Sequence, residues 1–316
     1  MQNFNAKTTD MENILQEIKD KLIANGQDPE NYLRGLKHNR AINYWEYVQV
    51  DTLLTLQNPR TDFKDETIFI VYHQITELVL KLIRHELDQL CLSELEPKLF
   101  VEKLYRMVRY TDLLSSSFSI MNQGMSYEDY NQFRLSLAPA SGFQSAQFRF
   151  IELMCTDIDL LIPAYLRDRV QANATLEDKF SMLYWQEAGF NRETNKKNKT
   201  LTDFEQKYLP LFIQTATQMK TLNLNQRYKT MLPLLDEAGQ TALKEALRAF
   251  DKNYNINWPM VHLETARTYL KSKGETKTAT GGSHWEKYLH PAFQRRIYFP
   301  ELWSETELAN WGVEAQ

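Results

Sequence analysis

The sequence predicts an all-α fold, and three observations carry that expectation. Glycine and proline are scarce, ten of each in 316 residues, below the usual ~7% and ~5%. Good helix formers, Leu, Lys, Glu, Gln and Met, take their place. Apolar residues recur at three- and four-residue spacings along most of the chain. No unit of roughly 20 to 50 residues repeats, so a solenoid is not expected, and one helical domain over 1–316 is.

Taken in order, residues 1–12 read as a loose terminus and 11–24 as an amphipathic helix, followed by a polar link rich in Asn, Gly, Asp and Pro. Residues 39–56, NRAINYWEYVQVDTLLTL, are too aromatic for an exposed linker and are expected to pack onto something. Helical periodicity then covers 65–92, 96–116, 127–137, 142–156, 157–171 and 176–185. The polar, Asn/Lys-rich segment 187–200, EAGFNRETNKKNKT, reads as a surface insertion. Helix resumes over 204–222, 232–254 and 259–273, with Pro259 near a helix start, where its missing N–H does least harm.

Bulk chemistry narrows the function. The formal net charge is −4, with 37 basic and 41 acidic residues intermixed, so no basic footprint for nucleic acid is offered. The opening segment lacks a basic leader with an apolar core, and no stretch approaches the ~18 apolar residues of a membrane span; a cytoplasmic protein with no membrane partner is expected. Cys91 and Cys155 lie in helical contexts without a CxxC and read as buried free thiols. His85-Glu86 opens like HExxH, but Gln89 stands where the second histidine would be.

Four segments could carry chemistry. On the 65–92 helix, Val71, Ile75, Leu78 and Leu82 form one apolar line and Phe69, Thr76, Leu80, Ile83 and Leu87 another, so a largely buried helix is expected. Glu77, Lys81, Arg84 and Asp88 form its polar strip, with Glu77 and Lys81 set to pair. His73 falls at the margin of the apolar arc, where a neutral imidazole could meet a ligand or simply satisfy the core. In YNQFRLSLAPASGFQSAQFR, 130–149, the small residues Pro139, Ala140, Ser141 and Gly142 follow Arg134, whose donor fork suits a carboxylate; the plainer reading is a helix-connecting turn. In NINWPMVHLETARTYL, His262 lies one turn after Trp258, and Thr265 and Ala266 leave a flat space between Trp258 and Tyr269 that would fit a planar macrocycle or an ordinary packed helix. In KTATGGSHW, Thr280, Gly281, Gly282 and Ser283 offer amides and hydroxyls to a small anionic or zwitterionic ligand, or a flexible connection. His38, His284 and His290 receive no role.

Together FIVYHQITELVLKLIRHEL, YNQFRLSLAPASGFQSAQFR, WPMVH and TATGGS, in this order, closely resemble the tryptophan 2,3-dioxygenase family. NYWEYVQVDTLLTLQNP and FPELW extend the resemblance over roughly residues 40–303. It implies an all-α multi-helix bundle enclosing a b-type haem, ferrous when active, in a homotetramer built as a dimer of dimers. The implied reaction inserts both atoms of O2 across the indole C2–C3 bond of L-tryptophan to give N-formyl-L-kynurenine, the first step of tryptophan breakdown by the kynurenine pathway. Carried over by position, His262 would ligate the haem iron, with Trp258, Ser141 and Gly142 near the cofactor. His73 would be the distal histidine facing the indole N–H. Arg134 would pair with the substrate carboxylate, Thr280 would contact its ammonium or carboxylate, and Phe69, Tyr130 and Phe133 would surround the indole. Tyr44, Tyr47 and Val48 match the segment that reaches a neighbouring subunit's site. Three departures stand out: the His262 to Thr280 interval is about four residues longer than usual, Pro259 interrupts what would otherwise be a longer proximal helix, and His284 replaces a second serine after TGGS. They motivate an alternative, a related haem enzyme acting on a substituted tryptophan or another indole; a non-catalytic helical binding protein is a third reading.

Overall fold

The computed structural model describes residues 2–138, 140–191, 196–272, 275–276, 286 and 289–313. It is predominantly helical, as the periodicity requires; its extended segments are two two-residue antiparallel pairs among the described residues, Phe190–Asn191 with Lys196–Lys197 and Lys271–Ser272 with Glu275–Thr276. None of the described helices is long and apolar enough to cross a membrane. Contacts divide the chain into two compact units, Met1–Leu56 and Gln57–Gln316.

The first unit holds α1 (Gln2–Ala24), α2 (Pro29–Leu36), α3 (Tyr44–Val48) and α4 (Val50–Leu53). Helix α1 starts at Gln2, so the expected loose terminus is helical; no glycine or proline precedes Gly26 to stop it. Gly26 then takes the left-handed conformation, φ +70°, as expected just past a helix end. Among residues 10–56 only Leu22 is buried. The aromatic 39–56 stretch is therefore not packed away: Tyr44 and Tyr47 are 73% and 77% exposed.

The second unit is a helical core. Helix α5 (Glu66–Leu92) packs against α6 (Pro97–Ser116) and α9 (Ala146–Cys155), α6 against α15 (Glu237–Lys252), and α9 against α13 (Lys199–Met219). The buried seam of α5 runs through Tyr72, Val79, Leu80, Ile83, Leu87 and Leu90, close to the second of the two predicted lines. The first line is not buried as expected, because Val71, Leu78 and Leu82 are exposed; a 3.6-residue helix packed on two neighbours covers only part of its circumference. Cys91 and Cys155 are buried free thiols, as expected.

Three boundaries depart from the periodicity. The expected 157–171 helix is two single turns, Ile158–Leu161 and Ala164–Arg167, separated by Pro163. A helix missing from the reading, α14 (Leu224–Met231), begins where Asn223 caps the Gln226 N–H. Segment 187–200 is not wholly a surface loop: Ala188 and Gly189 are buried in the turn Tyr184–Gly189, and a Cβ at Gly189 would lie 2.5 Å from Leu201 Cβ. Only glycine allows that approach.

Pro259 neither starts nor breaks a helix. Helix α15 continues through a π turn, Asn253–Asn257, into α16 (Trp258–Leu270). The Trp258 N–H reaches back five residues to Asn253 O. In a regular helix the Pro259 ring would clash with the carbonyl of Asn255, four residues earlier. The widened turn makes room, and such turns re-aim the helix that follows.

Candidate functional site

The site is assembled from α5, α8 (Tyr127–Phe133), the 141–144 turn and α16. Phe69 and His73 lie one turn apart on α5, with ring centroids 4.1 Å apart. Helix α8 is capped by Ser126 and ends in the 3-10 turn Arg134–Ser136 instead of running on to 137. It brings Tyr130 and Phe133 to 6.1 and 5.8 Å from Phe69 and to 5.5 Å from each other, edge to face. These three rings form an aromatic triangle.

Arg134 is buried beside this triangle. Burial raises the Tyr130 phenol above its ordinary value, against the opposing pull of the Arg134 guanidinium. A buried guanidinium next to aromatic walls is suited to a carboxylate on a planar ligand, since the charge-assisted contact gains strength away from water.

His73 Nδ1 is 2.7 Å from the carbonyl oxygen of Phe69. A carbonyl only accepts, so Nδ1 carries the proton and, in the neutral ring, Nε2 is left as an acceptor. Desolvation holds the His73 imidazole below its ordinary value, opposed by that hydrogen bond and by the charge of Glu77. His262, on α16, is pulled down to about 4 by desolvation and by the neighbouring His73. Yet both imidazoles retain accessible surface. His262 lies close enough to His73 to feel its charge.

The two histidines are also joined through aromatic rings that sequence reasoning missed. Phe118 stacks on His262 at 5.4 Å and meets Tyr72 at 5.2 Å, and Tyr72 stands edge-on to His73 at 5.9 Å. Phe118 lies in the featureless SSSFS run, which gave no signal. Tyr72 was adjacent to His73 in the motif and could have been inferred. Tyr269 backs Tyr130 at 4.7 Å, its hydroxyl donating to Met121 O and Met125 O.

Two features suit a bound macrocycle. The buried Trp258 Nε1, one turn before His262, finds no acceptor among the described residues. It is free to donate to a polar edge. A Cβ built on Gly142 meets nothing within 4 Å, so the loop leaves open space there. With a neutral imidazole at His262 these residues fit a haem. Tyr44, Tyr47 and Val48 belong to the first unit, and Thr280 lies outside the described residues, as do Pro139, Gly281, Gly282, Ser283 and His284.

The family model for tryptophan 2,3-dioxygenase matches residues 34–181, the stretch that carries Phe69, His73, Tyr130, Phe133 and Arg134. Tryptophan 2,3-dioxygenase of Bacillus thuringiensis subsp. konkukian is 29% identical over 282 residues, covering 83% of this chain and 91% of its own. The chain is similar to the tryptophan 2,3-dioxygenase family along most of its length. The similarity extends to proteins of that name from a Ruegeria species, 28% identical over 84% of this chain and 91% of its own, and from Caulobacter vibrioides, 29% identical over 83% of this chain and 97% of its own. Coverage of nine-tenths or more of each relative makes this a whole-chain likeness, not a shared motif.

Proposed function

We propose that this chain is a haem-dependent tryptophan 2,3-dioxygenase, converting L-tryptophan and O2 to N-formyl-L-kynurenine. The observation that carries the reading is the pair His73 and His262, linked through Tyr72 and Phe118 and each neutral at physiological pH, beside an aromatic triangle and a buried arginine. Ferrous haem b, when bound, supplies the dioxygen chemistry that opens the indole ring.

The chain's own residues then have separable tasks. His262 offers a neutral nitrogen to the iron. Trp258 offers its N–H to a polar edge of the cofactor, and the Ser141 and Gly142 loop leaves room beside it. Phe69, Tyr130 and Phe133 hold the indole by stacking and edge contacts. Arg134 takes the substrate carboxylate, and the acceptor Nε2 of His73 receives the indole N–H, orienting the ring and excluding water from it. Thr280 is assigned to the substrate's ammonium or carboxylate by resemblance alone.

The chain is proposed to act as a single functional domain, in the cytoplasm, as a homotetramer built from two dimers. Tyr44, Tyr47 and Val48 would complete a neighbour's site. The near absence of buried side chains in 10–56 supports that role, because an apolar arm without its own core gains by covering another surface.

The test is reconstitution with haem, recording the Soret band with and without L-tryptophan. The wild-type chain should show a ligated haem spectrum that shifts on adding the amino acid, and His262→Ala should lose the band. An unchanged spectrum in the variant would overturn the assignment.

A further inference from the structure

Glu77 lies one turn after His73 on α5, and its partners are on α9. Its carboxylate accepts from Ser145 Oγ at 2.6 Å and from Gln147 Nε2 at 3.0 Å, while its backbone carbonyl accepts the same Gln147 amide at 2.8 Å. It is therefore held across the helix pair and does not form the expected bridge along α5 to Lys81.

Both donors sit where α9 begins. Ser145 is the N-cap of α9, its Oγ accepting from the Phe148 N–H at 3.4 Å. Immediately before it, Gly142–Gln144 forms a 3-10 turn closed by the Ser141 N–H donating to Gln144 Oε1 at 3.0 Å. The turn is tied down at its middle as well, since Phe143 is buried against Phe204. One carboxylate thus anchors the end of the small-residue loop to the helix that presents Phe69 and His73.

We propose that Glu77 is a positioning residue: it fixes the Ser141–Gln144 loop relative to His73 and so sets the space left for substrate. An exposed carboxylate on a helix face would do nothing of the kind. This carboxylate accepts two hydrogen bonds from a neighbouring element, and hydrogen bonds to an ionised acceptor are the stronger class. The consequence for substrate rests on the dioxygenase reading above; the anchoring itself does not.

The experiment compares wild type, Glu77→Ala and Glu77→Gln. In the haem-free full chain, hydrogen exchange of the amides of residues 142–148 should rise about tenfold or more in Glu77→Ala, the scale of losing charge-assisted hydrogen bonds. Exchange in α15 should stay unchanged. Glu77→Gln, which keeps an oxygen for Ser145 Oγ, should recover most of the protection. In the haem-loaded chain, Glu77→Ala should raise KM for L-tryptophan more than it lowers kcat, with the Soret maximum unmoved. Should Glu77→Ala not fold, Ser145→Ala removes the anchor from the other side and carries the same expectations. Unaltered exchange at 142–148 would overturn the proposal, and so would raised exchange with KM unchanged. Absence of formylkynurenine from wild type, with exchange still raised in the variant, would instead overturn the dioxygenase reading and leave the anchor standing.

Discussion

His73 donates from Nδ1 to the carbonyl oxygen of Phe69, one turn earlier on the same helix, at 2.7 Å. That bond fixes the tautomer, and with it the chemistry available to a ligand: Nε2 is an acceptor. A substrate N–H is recognised by such a nitrogen and a methylated nitrogen is not. L-Tryptophan should therefore be preferred over 1-methyl-L-tryptophan in kcat/KM, and His73→Ala should narrow the preference about tenfold, the scale of one hydrogen bond. Measuring both substrates with both proteins checks it. An unaltered ratio would remove His73 from indole recognition.

Arg134 gives a second prediction. Replacing its buried guanidinium by leucine should raise KM for L-tryptophan about a hundredfold, as expected for loss of a charge-assisted pair in a desolvated site. Tryptamine, which lacks the carboxylate, should bind wild type and Arg134→Leu with similar affinity. Equal losses for both ligands would mean that the arginine holds the fold and not the carboxylate.

A pH dependence follows from His262. Its folded-state value, about 4, lies below the ordinary histidine value of about 6.5. Between these limits the unfolded chain binds a proton that the folded chain does not, so this group's contribution to stability is present above about 6.5 and is lost as pH falls toward 4. An axial ligand must be deprotonated to bind iron. Haem uptake should accordingly remain constant from neutral pH to about pH 5 and fall below that. A midpoint near the free-histidine value, followed by the Soret absorbance, would contradict the desolvated setting of His262.

Stability should depend on Asp251, which is fully buried. Its carboxylate accepts from the Tyr298 and Phe299 N–H groups, from Asn255 Nδ2 and from Trp303 Nε1. It ties the 298–303 segment, with its FPELW motif, to the π turn that precedes Trp258 and His262. Asp251→Ala leaves four donors without this acceptor and should cost about 3 kcal/mol or more. Urea unfolding of the haem-free chain measures it; a loss under about 0.5 kcal/mol, the range of an ordinary surface substitution, would deny the carboxylate this role.

Much of this site was legible in the sequence because its residues sit at fixed spacings on helices. Phe69 and His73 are one turn apart, as are Trp258 and His262, and Tyr130, Phe133 and Arg134 share one short stretch. The contacts between elements were not legible. Nothing local in SSSFS predicts that Phe118 stacks on His262, because that contact depends on how α16 is aimed. The aim depends in turn on the π turn before Pro259, which helical periodicity cannot register. The same limit explains Val71, Leu78 and Leu82: periodicity shows that a line is apolar, not whether this chain or another covers it. Glu77 illustrates the converse, since its spacing suggested Lys81 while the nearer partners came from α9.

If His262-bound haem inserts both atoms of one O2 molecule into L-tryptophan, both oxygen atoms added to the product come from O2. The most direct measurement is the mass of the product formed by the reduced, haem-loaded chain under 18O2. Wild type should form formylkynurenine carrying two labelled oxygen atoms, and His262→Ala should form none. Product with a single labelled atom, or intact haem binding with no formylkynurenine, would contradict it.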